Sequence, residues 1–205
     1  MVNNKKNDLG RNNKEKNRKK YNKKWICLIS IWTFILTIFF SLVSENMMRG
    51  FNIALATIAL LILITLGVFF DLIGIAVAAA DEKPFHSMAA NGVKEAKYAV
   101  RLVRNAARVS SFCNDVIGDI CGILSGAAGA IIVVKIITLY EVKTATIVSI
   151  LVSAIIASLT VGGKAFGKEM GIRNSEKIIF HTSKVLFVIN TKLGIDFLPE
   201  LKRKR

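Results

Sequence analysis

The chain has 205 residues, 53% of them apolar, and it carries 29 Lys and Arg residues against 14 Asp and Glu residues. The apolar residues are gathered in long blocks with the charges between and beyond them, which is typical of a protein built for a bilayer. This arrangement argues against a soluble enzyme and against a simple nucleic-acid-binding domain. The three cysteines are an odd number in apolar segments, so we expect reduced, packed thiols rather than a disulfide framework.

The first 24 residues form a basic segment that is rich in Lys and Asn and holds ten basic side chains. Its low complexity predicts a disordered tail over residues 1–24. This tail is either a topogenic signal alone or also a binding site for anionic lipid. Tyr21 is the only aromatic residue in it, which argues against binding of nucleic acid.

The uncharged block Trp25–Ser44 follows, and its roughly 20 residues are enough to cross a hydrocarbon core. No A-x-A-like cleavage site follows this block, so we interpret residues 25–44 as a retained signal-anchor helix. Three further apolar blocks predict three more spans and an all-α membrane protein with a transmembrane domain over residues 45–172. These blocks run Phe51–Ala80, Phe112–Ile137 and Thr144–Gly163.

Basic residues are distributed unevenly between the segments that connect the blocks. Of the 29 Lys and Arg residues, 26 lie in residues 1–24, 81–111 and 164–205. The connections 45–50 and 138–143 hold one each. Basic residues concentrate in cytoplasmic segments, so the pattern predicts a multi-pass plasma-membrane protein with both termini in the cytoplasm.

Residues 81–111 are too polar to lie in lipid and predict a cytoplasmic helical hairpin. Asn91-Gly92 is a strong turn signal, and Pro84 would open a short helix over residues 82–90 before it. After the turn, an apolar stripe opposite basic residues predicts an amphipathic helix lying on the membrane surface. The stripe is Val93, Ala96, Val100, Val103 and Ala107, and the basic residues are Lys94, Lys97, Arg101, Arg104 and Arg108.

Residues 173–205 repeat this amphipathic pattern. Asn174 is the expected N-cap of a further helix, with Glu176 in its first turn. The apolar face of this helix is too short to span a bilayer, so we expect it to lie at the interface ahead of a basic tail. The face comprises Ile178, Ile179, Val185, Leu186, Val188 and Ile189.

Polar residues inside the blocks need a reason, because an ionisable side chain at membrane depth costs at least about 2.5–3.5 kcal/mol. Asp71 lies in the second block, and Asn114, Asp115 and Asp119 lie at the start of the third. Together, these four residues could supply oxygen ligands for a hard divalent cation. They are therefore the candidate metal ligands of this chain.

Structural interpretations of the same residues stay open. Ser111 or Asn114 could cap the third span, with Asp115 stabilised by the helix dipole. Asp71 could pair with Arg108 or with Lys164. For Asp119, a turn deeper in the third block, neither a functional nor a structural role is favoured.

A ladder of small residues, Gly118, Gly122 and Gly126, would let another helix approach closely. It serves packing within the chain and homodimerisation equally well. His86 and His181 are predicted to be interfacial residues of the surface helices. No Ser/His/Asp set, phosphate-binding loop or Cys/His cluster is present in the sequence, so we do not expect an enzyme.

The order of these parts resembles the transmembrane domain of the CNNM/CorB/CorC family of magnesium and cobalt transporters, over about residues 55–200. A span ending in Phe69-Phe70 leads into an alanine-rich stretch, a helical hairpin follows, and the next span opens with Asn114. The quoted patterns are Gly92-x3-Ala96-x2-Ala99-x2-Leu102, a Gly-Gly-Lys segment ending at Lys164, and Gly171-x2-Asn174-Ser175-Glu176-Lys177-Ile178.

The resemblance implies a homodimer whose transmembrane domain holds Mg²⁺, with Asn114 matching a family asparagine. The chain also departs from the family pattern. Asp71 is the only acidic residue where the family has Ser and Glu, while Lys164 and Gly167 stand where the family has Glu and Pro. The regulatory CBS domains of the family are expected to be absent. A lysine at position 164 would repel a cation unless it pairs with Asp71 or Asp119.

Two functions follow as hypotheses. The first is a transporter-like protein that handles Mg²⁺ or Co²⁺ along a path lined by carboxylates. The second is a non-transporting membrane scaffold or regulatory subunit of the same fold. In that case Lys164 would form an internal salt bridge with an aspartate, and the basic hairpin would bind a partner or lipid.

Overall fold

The computed structural model describes residues 23–140 and 144–194. Apart from Lys23 and Lys24, the predicted disordered tail therefore lies outside the described residues, as do the basic C-terminal residues after position 194. The described residues divide into two units, the first ending at Phe39 and the second beginning at Phe40. All of the packing described below lies within the second unit.

Every regular element in the described ranges is a helix, which confirms the all-α prediction. Four of the helices are long and apolar enough to cross a membrane. The helices are α1 (Lys23–Gly50), α2 (Ile53–Ala79), α3 (Lys83–Ala90), α4 (Ala96–Arg104), α5 (Ala106–Tyr140, with π-helical turns at Phe112–Gly118), α6 (Ala145–Arg173) and α7 (Ser175–Leu193).

The helix α2 packs against both α5 and α6, and these two also pack against each other. Glycines of α6 face α2 at four-residue spacing. A Cβ atom at Gly163 or Gly167 would meet Val68 within 3.2 Å, and one at Gly171 would lie 3.0 Å from the Leu72 carbonyl oxygen. Lipid tails are as apolar as the side chains, so close van der Waals packing over small residues replaces the hydrophobic effect in joining such helices.

Two apolar cores lie along this bundle. One joins the first half of α2 to the second half of α5 through Ala56, Leu60, Ile64, Ala128 and Ile132. The other surrounds the end of α2 and includes side chains from the hairpin and from α7. Its buried members are Ile73, Ala76, Val77, Phe85, Ala99, Val100, Leu102, Cys113 and Ile179.

The helical hairpin forms as predicted around Asn91-Gly92, where Gly92 adopts a positive φ of 86°. The apolar stripe differs from the prediction at its end. Ala99 and Leu102 are buried, whereas Ala107 is exposed. The reason is a break in the helix at Asn105, which separates α4 from α5. The side-chain amide of Asn105 donates a hydrogen bond to the Arg101 carbonyl oxygen at 2.9 Å.

A network of charged side chains closes the base of the hairpin. Glu82 accepts hydrogen bonds from Arg104 and, at 2.6 Å, from the His86 ring. Partial burial of Glu82 favours its neutral form, but the hydrogen bonds from His86 and Arg104 outweigh this effect and hold its pKa below the ordinary value of 4.5.

The helix α7 begins after Asn174, which lies at the N-cap position without a capping side-chain hydrogen bond. It packs against α4 and α2, and the Tyr98 and Phe187 rings meet edge to face with their centroids 5.8 Å apart. Its predicted apolar face is divided, because Ile179 is buried while Val185 and Val188 are exposed.

Lys135 is a further charged residue of α5. At the rise per residue of an α-helix, it lies about 24 Å along α5 from Asp119. Its ammonium donates to the Met48 carbonyl oxygen at 2.7 Å and to the Phe51 carbonyl oxygen. Carbonyl groups at a helix C-terminus lack partners within the helix. Lys135 therefore provides hydrogen-bond donors for two carbonyl groups where α1 ends and α2 has not yet begun. Its charge is thereby accommodated inside an otherwise apolar helix.

The glycine contacts of α6 can be tested by a matched pair of substitutions. We expect Gly171→Val to lower the free energy of unfolding by about 1–3 kcal/mol, because the added atoms would overpack against the α2 backbone. Gly162→Val is the control, since a Cβ atom at Gly162 would meet nothing within 4 Å. Thermal unfolding in detergent measures both, and equal effects of the two variants would contradict the helix packing described.

The Glu82 network predicts a pH dependence. The folded-state pKa of Glu82 is lowered, so its ionised form stabilises the hairpin above the ordinary value near 4.5, and this contribution is lost as the pH falls through the folded-state value. We expect Glu82→Gln to lower the unfolding midpoint at pH 7 and to match the wild type in strong acid. Glu95→Gln in the same hairpin is the control: it keeps Glu82 and should keep the wild-type pH dependence. A change in its pH dependence as large as that of Glu82→Gln would contradict the assignment.

Candidate ion site where three helices cross

Asp71 lies between the two apolar cores, on the face of α2 that meets α5 and α6. It is 7% exposed, whereas the neighbouring buried positions on α2 are apolar or glycine. A buried carboxylate in such surroundings is stable as an ion only if a counter-charge and hydrogen bonds satisfy it.

The counter-charge is Lys164 on α6. Its ammonium nitrogen lies 3.0 Å from Asp71 Oδ2 and 3.7 Å from Asp119 Oδ1 on α5. It also donates to the Gly118 carbonyl oxygen at 3.4 Å. Lys164 therefore ties all three helices together, and of the two partners left open for Asp71 by the sequence, the structure selects Lys164.

The two carboxylates contribute unequally. The Asp71 side chain is 10% exposed, whereas that of Asp119 is 66% exposed. A buried pair interacts strongly, while an exposed one is worth about 0–1 kcal/mol. The Asp71–Lys164 pair therefore provides most of the interaction, and Asp119 adds a weaker, outer contact.

Glycines make room for the polar side chains at the α2–α5 contact. A Cβ atom at Gly118 would fall 2.1 Å from Asp71 Oδ1, and one at Gly74 would fall 2.1 Å from Asn114 Oδ1. Each helix thus places a polar side chain into the notch left by a glycine of the other. Gly118 belongs to the small-residue ladder predicted from the sequence, whereas no role was predicted for Gly74.

Asn114 and Asp115 lie within the π-helical turns Phe112–Gly118. The helix continues through this segment from Ala106, and Ser111 makes no capping hydrogen bond. The interpretation of Ser111 or Asn114 as the cap of a helix that starts here is therefore wrong. Single π-helical insertions within α-helices are frequent at functional sites.

Two buried oxygen atoms at this contact have no hydrogen-bond partner within the described part of the chain, namely Asp71 Oδ1 and Asn114 Oδ1. Buried polar atoms are nearly always satisfied, and each exception requires an explanation. Carboxylate and amide oxygens are ligands that Mg²⁺ accepts. The arrangement can therefore offer oxygen atoms to a cation, next to an ammonium group that neutralises one of the two carboxylate charges.

The structure brings together three of the four candidate ligands in different ways. Asp71 and Asp119 share Lys164, and Asn114 contacts α2 one helical turn along from Asp71. Asp115 is exposed. In the described ranges, no group of three or more His, Cys, Asp and Glu side chains is placed to hold a metal ion.

Two cysteines line the same contact. Cys113 and Cys121 are buried, Cys27 is exposed, and none of the three forms a disulfide. A Cβ atom at Gly67 would lie 2.9 Å from the Cys121 Cβ atom. The thiols therefore act as small packing residues on either side of the Asp71 carboxylate.

Comparison of the chain with protein-family models, curated proteins and solved structures gave no match. The resemblance to the magnesium and cobalt transporter family stays a prediction that depends on the residues quoted for it.

A double-mutant cycle tests the ion pair. We expect Lys164→Gln to destabilise the folded protein by about 3 kcal/mol, because it leaves the buried Asp71 carboxylate without its counter-charge. Asp71→Asn should cost less, since Lys164 is half-buried and keeps its contact with Asp119. The double variant should recover much of this loss, with a coupling energy above about 1 kcal/mol. Unfolding in detergent measures the four proteins.

The exposed Glu169–Arg173 pair on α6, with a 3.7 Å separation, provides the control cycle. Its coupling should stay below about 1 kcal/mol. Strictly additive losses at Asp71 and Lys164 would show that the two side chains do not interact.

Proposed function

We propose that this protein is a transporter-like membrane protein for divalent cations such as Mg²⁺ or Co²⁺. The observation that carries the proposal is the buried Asp71 carboxylate, which is held by Lys164 through one oxygen while its other oxygen has no hydrogen-bond partner among the described residues. Ionisable groups within membrane-spanning helices are rare, and they mark ion pathways and proton relays in many membrane proteins.

In this proposal, Lys164 takes the place of the transported cation in the resting site. Two carboxylates and one ammonium leave the cluster with a net negative charge, which attracts cations. An entering divalent cation would replace the ammonium at Asp71 and Asp119, and Asn114 would add a neutral oxygen ligand. Lys164 would then swing away on its flexible side chain.

The orientation belongs to the same proposal. The hairpin and α7 both pack around the end of α2, which supports placing them on one side of the membrane. Basic residues concentrate in these segments and in the N-terminal tail. We therefore place both termini and the hairpin in the cytoplasm, and α7 at the inner surface of the plasma membrane.

Homodimerisation is also proposed. Gly118 packs within the chain, but a Cβ atom at Gly122 or Gly126 would meet no atom within 4 Å. These glycines line a groove of about 500 Å³ between α5 and α6. Gly122 and Gly126 therefore have room to contact a second copy of the chain in the membrane.

A second candidate is a non-transporting scaffold or regulatory subunit. The observation that favours it is that Lys164 already contacts both Asp71 and Asp119. An ion pair of this kind joins three helices and needs no cation to do so. In that case, the cluster would serve only to assemble the bundle.

Cation flux into liposomes separates the two candidates. We expect the purified full-length protein to admit Mg²⁺ or Co²⁺, as measured with a metal-sensitive dye inside the vesicles. Asp119→Asn should lower the flux by about tenfold or more, because it removes one of the two carboxylates of the path. Asp119 is mostly exposed, so this variant tests the site with little effect on stability.

Glu169→Gln is the matched control, since it removes an exposed carboxylate from α6 outside the cluster, and it should retain wild-type flux. The absence of flux from a folded wild type would reject transport by this protein alone and favour the scaffold. Equal flux through the wild type and Asp119→Asn would remove this carboxylate from the path.

A further inference from the structure

The helical hairpin contains a second charged site, distinct from the ion cluster. An open cavity of about 500 Å³ lies on the surface between α3 and α4, and its lining among the described residues includes Lys97, Arg101, Arg104 and His86 but no acidic side chain. Three permanent positive charges therefore face one cavity, and Glu82 beside it offsets only that of Arg104. Volumes of this size are typical of small-ligand sites.

Two of these cations are held in place by other residues. The Arg101 guanidinium lies 5.5 Å from the centre of the Tyr98 ring, and Tyr98 packs in turn against Phe187 of α7. Arg104 is bound by Glu82. Because these side chains are positioned before a ligand arrives, binding costs less conformational entropy than it would with mobile side chains.

The cavity lies close to the end of a membrane-spanning helix. The hairpin helix α3 begins at Lys83, four positions after α2 ends at Ala79, and Arg104 comes two residues before the start of α5. Lipid headgroups occupy the layer just outside the hydrocarbon core. The phosphates of that layer are therefore the nearest abundant anions.

We propose that this cavity binds the phosphomonoester headgroup of an anionic lipid. Arginine side chains match the geometry of phosphate oxygens through paired hydrogen bonds, and lysine adds a point charge. Basic pockets beside membrane-spanning helices on the cytoplasmic side recognise such headgroups in general. The inference rests on the proposed orientation of the hairpin but not on cation transport.

The test uses the full-length protein in detergent, with phosphatidic acid as the probe and phosphatidylcholine as the neutral reference. We expect tighter binding of phosphatidic acid, and a loss of about tenfold or more in the Lys97→Gln/Arg101→Gln variant. The Lys177→Gln/Lys192→Gln variant removes the same charge from exposed positions of α7 and should change the affinity less than about threefold.

Equal losses in the two double variants would show diffuse attraction to a basic surface and overturn the proposal. Inorganic phosphate and glycerol phosphate test the other source of the same chemistry, and binding as tight as that of phosphatidic acid would overturn the lipid assignment. Lys97→Gln alone, at an exposed position, guards against misfolding and should still weaken binding measurably.

A separate pair of measurements distinguishes this site from the ion cluster. Asp119→Asn should keep the wild-type affinity for phosphatidic acid, because the cluster is not part of the hairpin cavity. A protein without cation flux but with the expected lipid selectivity would reject the proposed transport and support the lipid site. A protein with cation flux but without lipid selectivity would support the proposed transport and reject the lipid site.

Discussion

The requirement that a charge within a membrane be paired governs the second unit of this protein. Asp71 and Lys164 belong to different spanning helices, and each is costly to insert alone. At 3.0 Å they neutralise each other, and the additional bond from Lys164 to the Gly118 carbonyl oxygen includes the third helix. The helices α2, α5 and α6 must therefore approach closely at this level, and the residues around the pair are small enough to permit it.

The close approach is possible because glycines on each helix leave room for side chains of the neighbouring helix. Asp71 lies over Gly118 and Asn114 lies over Gly74, while Gly163, Gly167 and Gly171 bring α6 onto the other side of α2. Alanine would be a better helix former at each of these positions, but its methyl group would displace Asp71 at Gly118 and Asn114 at Gly74, and would crowd α2 at the three glycines of α6. The cost in helix propensity is offset by dispersion contacts and by the shielding of the ion pair from lipid, which are the forces available where no hydrophobic effect operates.

The same pair creates the functional ambiguity of the site. A buried ion pair is weak evidence for stability, since apolar residues of similar volume often serve as well. The pair lies beside π-helical turns and two buried oxygens that have no hydrogen-bond partner among the described residues, and these features are the basis of the proposed ion pathway. The hairpin adds a second charged feature near the end of α2, an open cavity lined by basic side chains.

Length, apolar patterning and turn chemistry were sufficient to predict the four long helices and the hairpin around Asn91-Gly92, because a membrane span and a glycine with positive φ impose local requirements on the sequence. The pairing of Asp71 with Lys164 rather than Arg108 was decided only by the tertiary structure. Asp71 and Lys164 lie on α2 and α6, and the register between these two helices depends on the close contacts that glycines allow. The same holds for the continuation of α5 through Asn114, because a π-helical insertion is stabilised by what packs against it and leaves no composition signal of its own. Local chemistry thus determined the elements of this protein, and the close packing of its helices decided which polar groups meet.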